Sequence, residues 1–171
     1  MSPTYILDTG VLVSTWTDTA KESTFVTTPK IVGEVRNRLS RFRAETLFLL
    51  DKMVERSPND NDLRQVEKVA AVSGDRSKLS ENDIELIALA LTISHEENDS
   101  TLVSTDFAVL NTASHIGLKI LDPNKKFREE ITWVMKCPAC SYKSKTPTRE
   151  IGCPVCGTEM HRFPLKKRKV G

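Results

Sequence analysis

Long apolar runs are missing from this 171-residue chain, and cysteine is absent from its first 136 residues. The longest strongly apolar stretch, residues 86–91, is far shorter than the roughly 20 residues that a membrane-spanning helix needs. The first eight residues lack the basic region and the apolar core of an export signal, and no low-complexity tract is present. We therefore expect a soluble, cytoplasmic, globular protein with no membrane partner.

The four cysteines form two Cys-x-x-Cys pairs, Cys137 with Cys140 and Cys153 with Cys156. Each pair presents two thiolates from one tight turn, and the two turns together can close a tetrahedron around a single Zn²⁺. The alternative is a pair of disulfides, for which four cysteines allow three connectivities. The lack of an export signal argues against disulfides, because intracellular thiols stay reduced. The spacing therefore predicts a zinc ribbon held by all four cysteines.

Charge is distributed unevenly along the chain. Residues 1–123 carry 13 basic and 19 acidic side chains, whereas residues 124–171 carry 12 basic and 4 acidic ones. An acidic body with a basic appendage indicates a polyanion that binds to the appendage. The alternative is a solvated basic tail with no dedicated partner.

Strand-like and helix-like segments alternate over the first 121 residues, which implies right-handed crossovers and a mainly parallel sheet in an α/β sandwich. We therefore expect an α/β domain over 1–123, a polar linker over 124–131, a ribbon over 132–163 that a strand at 131–135 leads into, and a disordered basic tail over 164–171. The predicted strands are 5–7, 25–27, 101–104 and 118–121, and the predicted helices are 11–16, 29–39, 47–54, 63–70, 84–91 and 107–114.

Four acidic residues lie at the entry of successive elements. Asp8 and Asp106 follow predicted strands, at the sheet edge where ligands bind in α/β folds. Glu34 lies in the helix after the second strand, and Asp83 lies in the first turn of the helix that Ser80 opens. Each has a structural alternative: Asp8 and Asp106 as N-caps, Asp83 as the acidic partner of a capping box, and Glu34 as a solvated helix residue.

Clustered carboxylates repel one another unless a cation neutralises them. Hard oxygen ligands of this kind suit Mg²⁺ or Mn²⁺. One or two such ions can activate a water molecule and stabilise the leaving oxygen of a phosphodiester. The four acids together therefore predict a metal-dependent phosphodiesterase site.

Four segments, in this order, resemble the PIN-domain ribonucleases over roughly residues 4–122. They are Ile6 to Gly10, Pro29 to Glu34, Leu79 to Ala90 and Val103 to Asp106. The resemblance implies a three-layer α/β sandwich with a mainly parallel central sheet. It also implies that Asp8, Glu34, Asp83 and Asp106 form the metal-binding catalytic set.

A PIN domain followed by a four-cysteine ribbon resembles the Nob-type endonucleases, whose aromatic-plus-Asn pattern fits residues 106–111. The resemblance implies cleavage of precursor small-subunit ribosomal RNA at its 3′ end, with the ribbon on RNA or on the pre-ribosome and its assembly proteins. The short chain points to an archaeal version. One departure is that Phe107 and Ala108 stand where many PIN nucleases place a further acid. Two alternatives therefore stay open: a non-cleaving RNA-binding scaffold and a toxin ribonuclease of the VapC kind.

Basic and aromatic side chains near the acids and in the ribbon are candidates for RNA contacts. Arg36 and Arg43, seven residues apart, share a face if their helix is unbroken, and Tyr142 stands beside a lysine of the ribbon. The alternatives are a solvated helix face and packing of Tyr142 inside the ribbon. The candidates are Arg36, Arg43, Lys136, Tyr142, Lys143, Lys145, Arg149, Lys166, Lys167, Arg168 and Lys169.

Overall fold

A computed structural model describes residues 2–20, 22–35, 37–97, 99–144 and 152–170, without the side chain of Glu34. Three predicted RNA contacts, Arg36, Lys145 and Arg149, lie outside the described residues. Among the helices described, none combines the length and the apolar character that crossing a membrane requires.

The body of the protein is a five-stranded sheet in which every neighbouring pair of strands is parallel. Its strands are β1 (Thr4–Leu7), β2 (Thr24–Thr27), β3 (Met53–Glu55), β4 (Ser100–Val103) and β5 (Ile120–Leu121). Their spatial order is β3-β2-β1-β4-β5, so the chain reverses its direction of winding between β1 and β4. The predicted α/β fold with a parallel sheet is confirmed.

Helices connect the strands and bury their apolar faces on the sheet. They are α1 (Thr9–Leu12), a 3₁₀ turn (Trp16–Thr19), α2 (Pro29–Glu34), α3 (Arg38–Leu49), α4 (Asp60–Ser73), α5 (Glu81–Glu96) and α6 (Phe107–Ile116). The apolar run 86–91 lies in α5 and is buried throughout. It packs in one core with strand residues such as Ile6, Phe25 and Val103.

Local chemistry sets the helix ends that the sequence predicts. The Thr28 side chain accepts a hydrogen bond from the N–H of Ile31, the third residue of α2, with Pro29 at the first helical position. Ser80 opens α5 with a capping box. Gly74 and Gly117 end α4 and α6 in the left-handed conformation, which glycine adopts without steric cost.

The helix that the sequence predicts from Pro29 to Leu39 is broken. Helix α2 ends at Glu34, Val35 is extended, and α3 begins afresh at Arg38. The side chain of Asn37 accepts a hydrogen bond from the Leu39 N–H and so caps the second helix, which competes with continuation of the first. The prediction of one unbroken helix over residues 29–39 is therefore wrong. The shared helix face of Arg36 and Arg43 depended on that helix and loses its basis.

The predicted helix 47–54 also ends early, because its last residues form strand β3. Helix α3 stops at Leu49, and Asp51 has a positive φ of 53° that turns the chain. Val54 then pairs with Val26 of β2. Sheet pairing at an edge, favoured by a β-branched residue, outweighs the local helical spacing.

The C-terminal part is a three-stranded antiparallel sheet with the order β7-β6-β8. Its strands are β6 (Glu129–Lys136), β7 (Lys143–Ser144) and β8 (His161–Lys169). The tail predicted to be disordered from residue 164 is therefore strand, and so is the end of the predicted linker. The reason is cross-strand pairing of opposite charges: Lys167 Nζ lies 3.0 Å from Glu129 Oε2, and Arg168 Nη2 lies 2.8 Å from Glu130 Oε2. The domain boundaries themselves stay a prediction.

The hairpin of β6 and β8 is docked on the α/β body along α6. Asn111 of α6 donates to the Ile131 carbonyl and accepts from the Ile131 N–H, each at 2.7 Å. Ser114 donates to Glu130 at 2.7 Å. A Cβ added to Gly74 would lie 2.8 Å from the Trp133 Cβ, so the glycine allows close approach of the strand. The two parts of the chain thus share an interface of specific hydrogen bonds and close packing.

Candidate active site

Asp8 occupies the first position after β1, at the carboxyl edge of the sheet. Its N–H donates to the Val103 carbonyl, and its side chain is only 8% exposed. Burial is the largest influence on the pKa of the Asp8 carboxyl and raises it, while a hydrogen bond from Ser104 lowers it. The charges of Asp83 and Asp106 raise this pKa further, which places both acids close to Asp8.

Asp106 stands at the edge of the neighbouring strand and caps α6. Its Oδ1 accepts from the Ala108 N–H at 2.7 Å, so the structural alternative considered for this residue is realised. Ser104, fully buried, joins the two strand-end acids: its hydroxyl donates to Asp8 Oδ2 at 2.5 Å and accepts from the Asp106 N–H at 3.0 Å. Ser104 is not among the predicted site residues, although it lies inside the segment that ends at Asp106.

Asp83 enters the site from the first turn of α5. Its Oδ2 accepts from the Ser80 N–H at 2.8 Å and from the Ser80 hydroxyl at 2.7 Å, which completes the capping box. The capping role does not exclude a second one, since the charge of Asp83 acts on the pKa of Asp8. One carboxylate oxygen caps the helix while the other remains a ligand of the kind that Mg²⁺ prefers.

Glu34 is the last residue of α2, and its side chain lies outside the described part. Lys30, one turn earlier, forms an ion pair with Glu85 of α5, the helix that also carries Asp83. This contact ties α2 to the helix at the site. The assignment of Glu34 as the fourth catalytic acid stays a prediction.

The acids of the site fit a hydrated cation better than a tightly caged one. In the part of the chain that the structure describes, the cysteines are the one compact group of three or more ligand atoms from His, Cys, Asp or Glu. Asp8, Asp83 and Asp106 are near enough to repel but form no such group. Mg²⁺ usually keeps several water ligands and binds through one or two carboxylates. The donor set therefore fits Mg²⁺ or Mn²⁺ with water completing the coordination.

The four cysteine sulfurs meet at the tip of the β6–β8 hairpin, all within 4.8 Å of one another. Cys137 Sγ lies 3.5 Å from Cys156 Sγ, and Cys140 Sγ lies 3.5 Å from Cys153 Sγ. A tetrahedral zinc with Zn–S bonds of about 2.3 Å sets its sulfurs ~3.8 Å apart. The four thiols are free rather than disulfide-bonded, and their spacing fits one such ion.

The two cysteine turns repeat the same backbone pattern. The N–H of Cys137 donates to the carbonyl five residues later, and the N–H of Cys153 does the same. In each turn the residue four after the first cysteine, Ser141 or Gly157, has a positive φ and donates back to that cysteine's carbonyl. The repeated turns present the two thiols of each pair in one direction, as a ribbon requires.

Two predicted RNA contacts on the ribbon lie beside an aromatic ring that is not among the predicted contacts. Lys136 Nζ and Lys143 Nζ lie 4.8 and 5.9 Å from the centre of the Phe163 ring. Phe163 and Tyr142 are both partly exposed. Aromatic rings interleaved with cations could have marked Phe163 in the sequence. Binding of RNA by Lys136, Tyr142 and Lys143 stays a prediction.

The remaining described candidates are divided between paired and solvent-facing cations. Arg43 Nη1 donates to the Val13 carbonyl at 3.1 Å and so braces α3 against the turn after α1. Lys167 and Arg168 are engaged by their cross-strand acids. Lys166 and Lys169 are exposed and make no ion pair with the residues described. Whether these side chains contact RNA is also a prediction.

Comparison with known proteins agrees with this arrangement. Residues 5–93 match a family model described as the PIN domain of ribonuclease. The chain is 34% identical to Endoribonuclease Nob1 of Pyrococcus abyssi over 83% of this chain and 85% of that one, and 31% identical to the Nob1 of Archaeoglobus fulgidus over 78% and 76%. It is also 28% identical to Ribonuclease VapC1 of Thermoplasma acidophilum over 97% and 81%. The chain therefore belongs to the PIN-domain ribonucleases and, among them, to the Nob1-type endoribonucleases.

Proposed function

We propose that this protein is a divalent-metal-dependent endoribonuclease that cleaves precursor small-subunit ribosomal RNA at its 3′ end. The observation that carries the proposal is the link that Ser104 makes between Asp8 and Asp106 at the carboxyl edge of the sheet, with the charge of Asp83 acting on Asp8, in a chain of the Nob1 type. A Schizosaccharomyces pombe relative, 34% identical over 95 residues, is named 20S-pre-rRNA D-site endonuclease nob1. The partners are the pre-small ribosomal subunit and its assembly proteins, in the cytoplasm.

The acids of the site would hold Mg²⁺ or Mn²⁺, with Glu34 as a fourth ligand. A bound ion supplies an activated water and charge stabilisation of the leaving oxygen. The protein positions the acids that would hold the ion: Ser104 fixes both the side chain of Asp8 and the backbone of Asp106. Asp8, buried under the edge of the sheet, is held in one orientation before any substrate arrives.

The four cysteines would hold a structural zinc ion, since their thiols close a tetrahedron and leave no position open for chemistry. The ion would lock the tip of the hairpin, where Lys136, Tyr142 and Lys143 are presented. The ribbon would then grip RNA or the pre-ribosome through these side chains, through Lys145 and Arg149, and through the basic strand 166–169.

Cleavage assays with the zinc-loaded protein test the proposal. A short RNA that spans the 3′ end of small-subunit ribosomal RNA is incubated with and without added Mn²⁺. We expect Mn²⁺-dependent cleavage that Asp8→Asn abolishes and that Asp18→Asn, at an exposed acid of the 3₁₀ turn outside the predicted catalytic set, retains. Binding without cleavage under any metal would support the scaffold alternative instead.

A toxin ribonuclease is the second candidate, because the similarity to VapC1 extends over 97% of the chain. This function predicts growth arrest when the protein is expressed in a host and no arrest with Asp8→Asn. Normal growth with active protein would exclude it.

A further inference from the structure

A cleft of about 470 Å³ lies between α6 and the β6–β8 hairpin. It begins at Phe107, the residue directly after Asp106, and so lies beside the candidate active site. Aromatic and cationic side chains line most of it, among them Phe107, Lys126, Phe127, Arg128, Trp133 and Lys169. The catalytic assignment uses none of these side chains.

We propose that this cleft binds an unpaired base of the RNA strand next to the phosphate that is cut. Phe107 is the stacking platform, and Lys126 and Arg128 contact the flanking phosphates. The inference rests on the proposed function, because it takes RNA as the substrate. It adds to the side chains at the hairpin tip a recognition element between α6 and the β6–β8 hairpin.

Phe107 has the exposure and the setting of a stacking platform. Its side chain is 51% exposed, although the next turn of α6, with Val109 and Leu110, is fully buried. Its ring meets Phe127 edge to face, with centroids 5.9 Å apart and planes at 69°. This geometry fixes the ring while it covers only part of its surface. Base stacking on such a ring tolerates any sequence, since every base has a flat π face.

The wall of the cleft opposite α6 is held in place before a ligand arrives. The Asp122 carboxylate accepts backbone hydrogen bonds from Asn124, Lys126 and Phe127 at 2.7 to 2.9 Å. The Val170 N–H donates to the Arg128 carbonyl at 3.0 Å and joins this loop to the end of β8. A preformed wall lowers the ordering cost of binding.

The charge of the cleft favours phosphate. Lys126, Arg128 and Lys169 are exposed and form no ion pair with any residue described. The acids of the cleft are already engaged, Glu129 by Lys167 and Asp75 by Arg162. Asp122 offsets part of the charge of Lys126, and the mouth of the cleft keeps a net positive charge, which attracts a polyanion.

Arg162 supplies an unsatisfied hydrogen-bond donor at the floor. Its guanidinium stacks on Trp133 at 4.2 Å and pairs with Asp75, which Ser73, Asn111 and Thr112 also contact. The Arg162 Nε is buried and has no hydrogen-bond partner among the residues described. Buried donors in proteins are nearly always satisfied. Because this nitrogen has almost no accessible surface, a bound base would not reach it, and Arg162 contributes to the cleft through its charge and its stacking on Trp133.

The test measures binding of a labelled single-stranded RNA by fluorescence anisotropy, with zinc-loaded full-length protein and no added Mn²⁺. Phe107→Ala should weaken binding about five- to 150-fold, the range that loss of one stacked base implies. Phe107→Tyr should retain it. The matched control is Phe42→Ala, which removes a phenylalanine that is 68% exposed on α3, outside the cleft. Equal affinities of Phe107→Ala and Phe42→Ala would overturn the inference.

An RNA series with a single abasic nucleotide moved along the strand locates the base. Wild-type protein should lose affinity at one position, and Phe107→Ala should lose nothing further there. Lys126→Ala and Arg128→Ala should each lower the slope of log affinity against log salt by about 1, whereas Lys68→Ala on α4 should not. An abasic effect that persists in Phe107→Ala would contradict the assignment of the platform.

The outcomes separate this inference from the proposed function. Wild-type protein that binds no RNA and cuts none overturns both. Wild-type protein that cuts RNA, with a Phe107→Ala variant that behaves as Phe42→Ala does, overturns only the cleft.

Discussion

At the scale of single residues, the site is organised by Ser104 as much as by its acids. The hydroxyl joins Asp8 to the backbone of Asp106, residues that are almost a hundred positions apart in the chain. Local sequence predicts Asp8, Asp83 and Asp106, because each follows a strand or opens a helix. It does not predict the serine bridge, because that bridge depends on the pairing of β1 with β4.

Ser104→Ala tests the bridge. Loss of a hydrogen bond to a buried carboxylate costs about 1–3 kcal/mol, so we expect single-turnover cleavage to slow by about five- to 150-fold at saturating Mn²⁺. Ser94→Ala is the matched control, since its hydroxyl bonds only a carbonyl within α5. A Ser104→Ala variant that cuts as fast as Ser94→Ala would show that the bridge is dispensable.

Asp8→Asn tests the charge balance of the site. Burial and two neighbouring acids raise the pKa of Asp8, so its ionised form at neutral pH opposes folding. Asn keeps an acceptor for Ser104 and removes that charge. We expect Asp8→Asn to have a higher Tm than the wild type without divalent metal, and Mn²⁺ to raise the Tm of the wild type only.

Thermal unfolding with and without Mn²⁺ gives both values. A variant less stable than the wild type in metal-free buffer would contradict the mutual repulsion of the acids. Equal stabilisation of both proteins by Mn²⁺ would place the metal elsewhere.

At the scale of elements, the sequence predicts most of the helices and strands but fails where pairing partners are distant. The caps of α2 and α5 rest on contacts within four residues, and both are confirmed. Spacing alone predicts an unbroken helix over residues 29–39 and a helix that includes residues 53–54. A competing cap at Asn37 and sheet pairing of Val54 decide these two segments instead.

Strand β8 shows the same dependence on a partner. Its basic end, residues 166–169, has the composition of a solvated tail. It becomes a strand because Glu129 and Glu130 lie opposite and because Glu130 is anchored to α6 through Ser114. The sequence alone gives the charge of this segment, but it does not predict the strand that pairs with it.

Glu130→Gln tests this anchor. Burial raises the pKa of Glu130, but hydrogen bonds from Ser114 and Arg168 and the nearby His115 lower it overall. An acid whose pKa is lower in the folded protein than in the unfolded chain stabilises the fold at pH values above its unfolded pKa. That stability is lost as the pH falls through the folded pKa. The wild-type hairpin should therefore lose stability at pH values below 4.5, the ordinary pKa of a glutamate carboxyl.

We expect Glu130→Gln to lose about 1–3 kcal/mol at neutral pH and to show a smaller loss on acidification. Hydrogen exchange of β6 and β8 between neutral and acid pH measures this. Glu129→Gln, which breaks only an exposed pair, should cost under about 1 kcal/mol. The anchor is not at Glu130 if the two variants behave alike.

Zinc removal tests the tip of the hairpin. Among the described residues, the core of the tip consists of Cys137, Cys153 and Met160, with Met135 partly buried against it. Structural zinc provides about 10–16 kcal/mol of apparent binding energy in small modules, so chelation should unfold the cysteine turns. Hydrogen exchange should rise there and stay low in β1 and β4. Simultaneous loss of protection in both regions would show that the α/β domain needs the metal.

At the scale of the whole molecule, the hairpin is docked on the α/β body rather than held by a free linker. Asn111 pairs with the backbone of β6, and Gly74 lets Trp133 approach the end of α4. The sequence predicts two modules and their order. Their docking was not predictable, because a helix-ending glycine looks the same whether or not a strand packs against it.

Two glycines form a matched pair that tests the docking. Gly74 and Gly117 both end helices with positive φ, so alanine at either should cost about 1 kcal/mol from backbone strain. A Cβ at Gly74 would also lie 2.7 Å from the Trp133 carbonyl oxygen, whereas at Gly117 it meets no described atom within 4 Å. Gly74→Ala should therefore cost clearly more and expose β6 to hydrogen exchange. Equal losses of unfolding free energy would contradict the docked arrangement.

Acidic and basic groups lie in different parts of the docked molecule. Acidic groups concentrate in the α/β body, and basic groups concentrate in the hairpin and its tip. The cleft at Phe107 lies where the two meet, beside Asp106. In the proposed function, the hairpin attracts RNA, the cleft orders one base, and the acids act on the adjacent phosphate.

Mapping the cut end of an RNA precursor tests the proposed cleavage itself. The zinc-loaded protein is incubated with Mn²⁺ and an RNA that extends past the mature 3′ end of small-subunit ribosomal RNA, and the products are sequenced. The account predicts one cut, at the mature 3′ end, that disappears with Asp8→Asn and persists with Asp18→Asn. Tight binding without a cut, or a cut that Asp8→Asn retains, would contradict it.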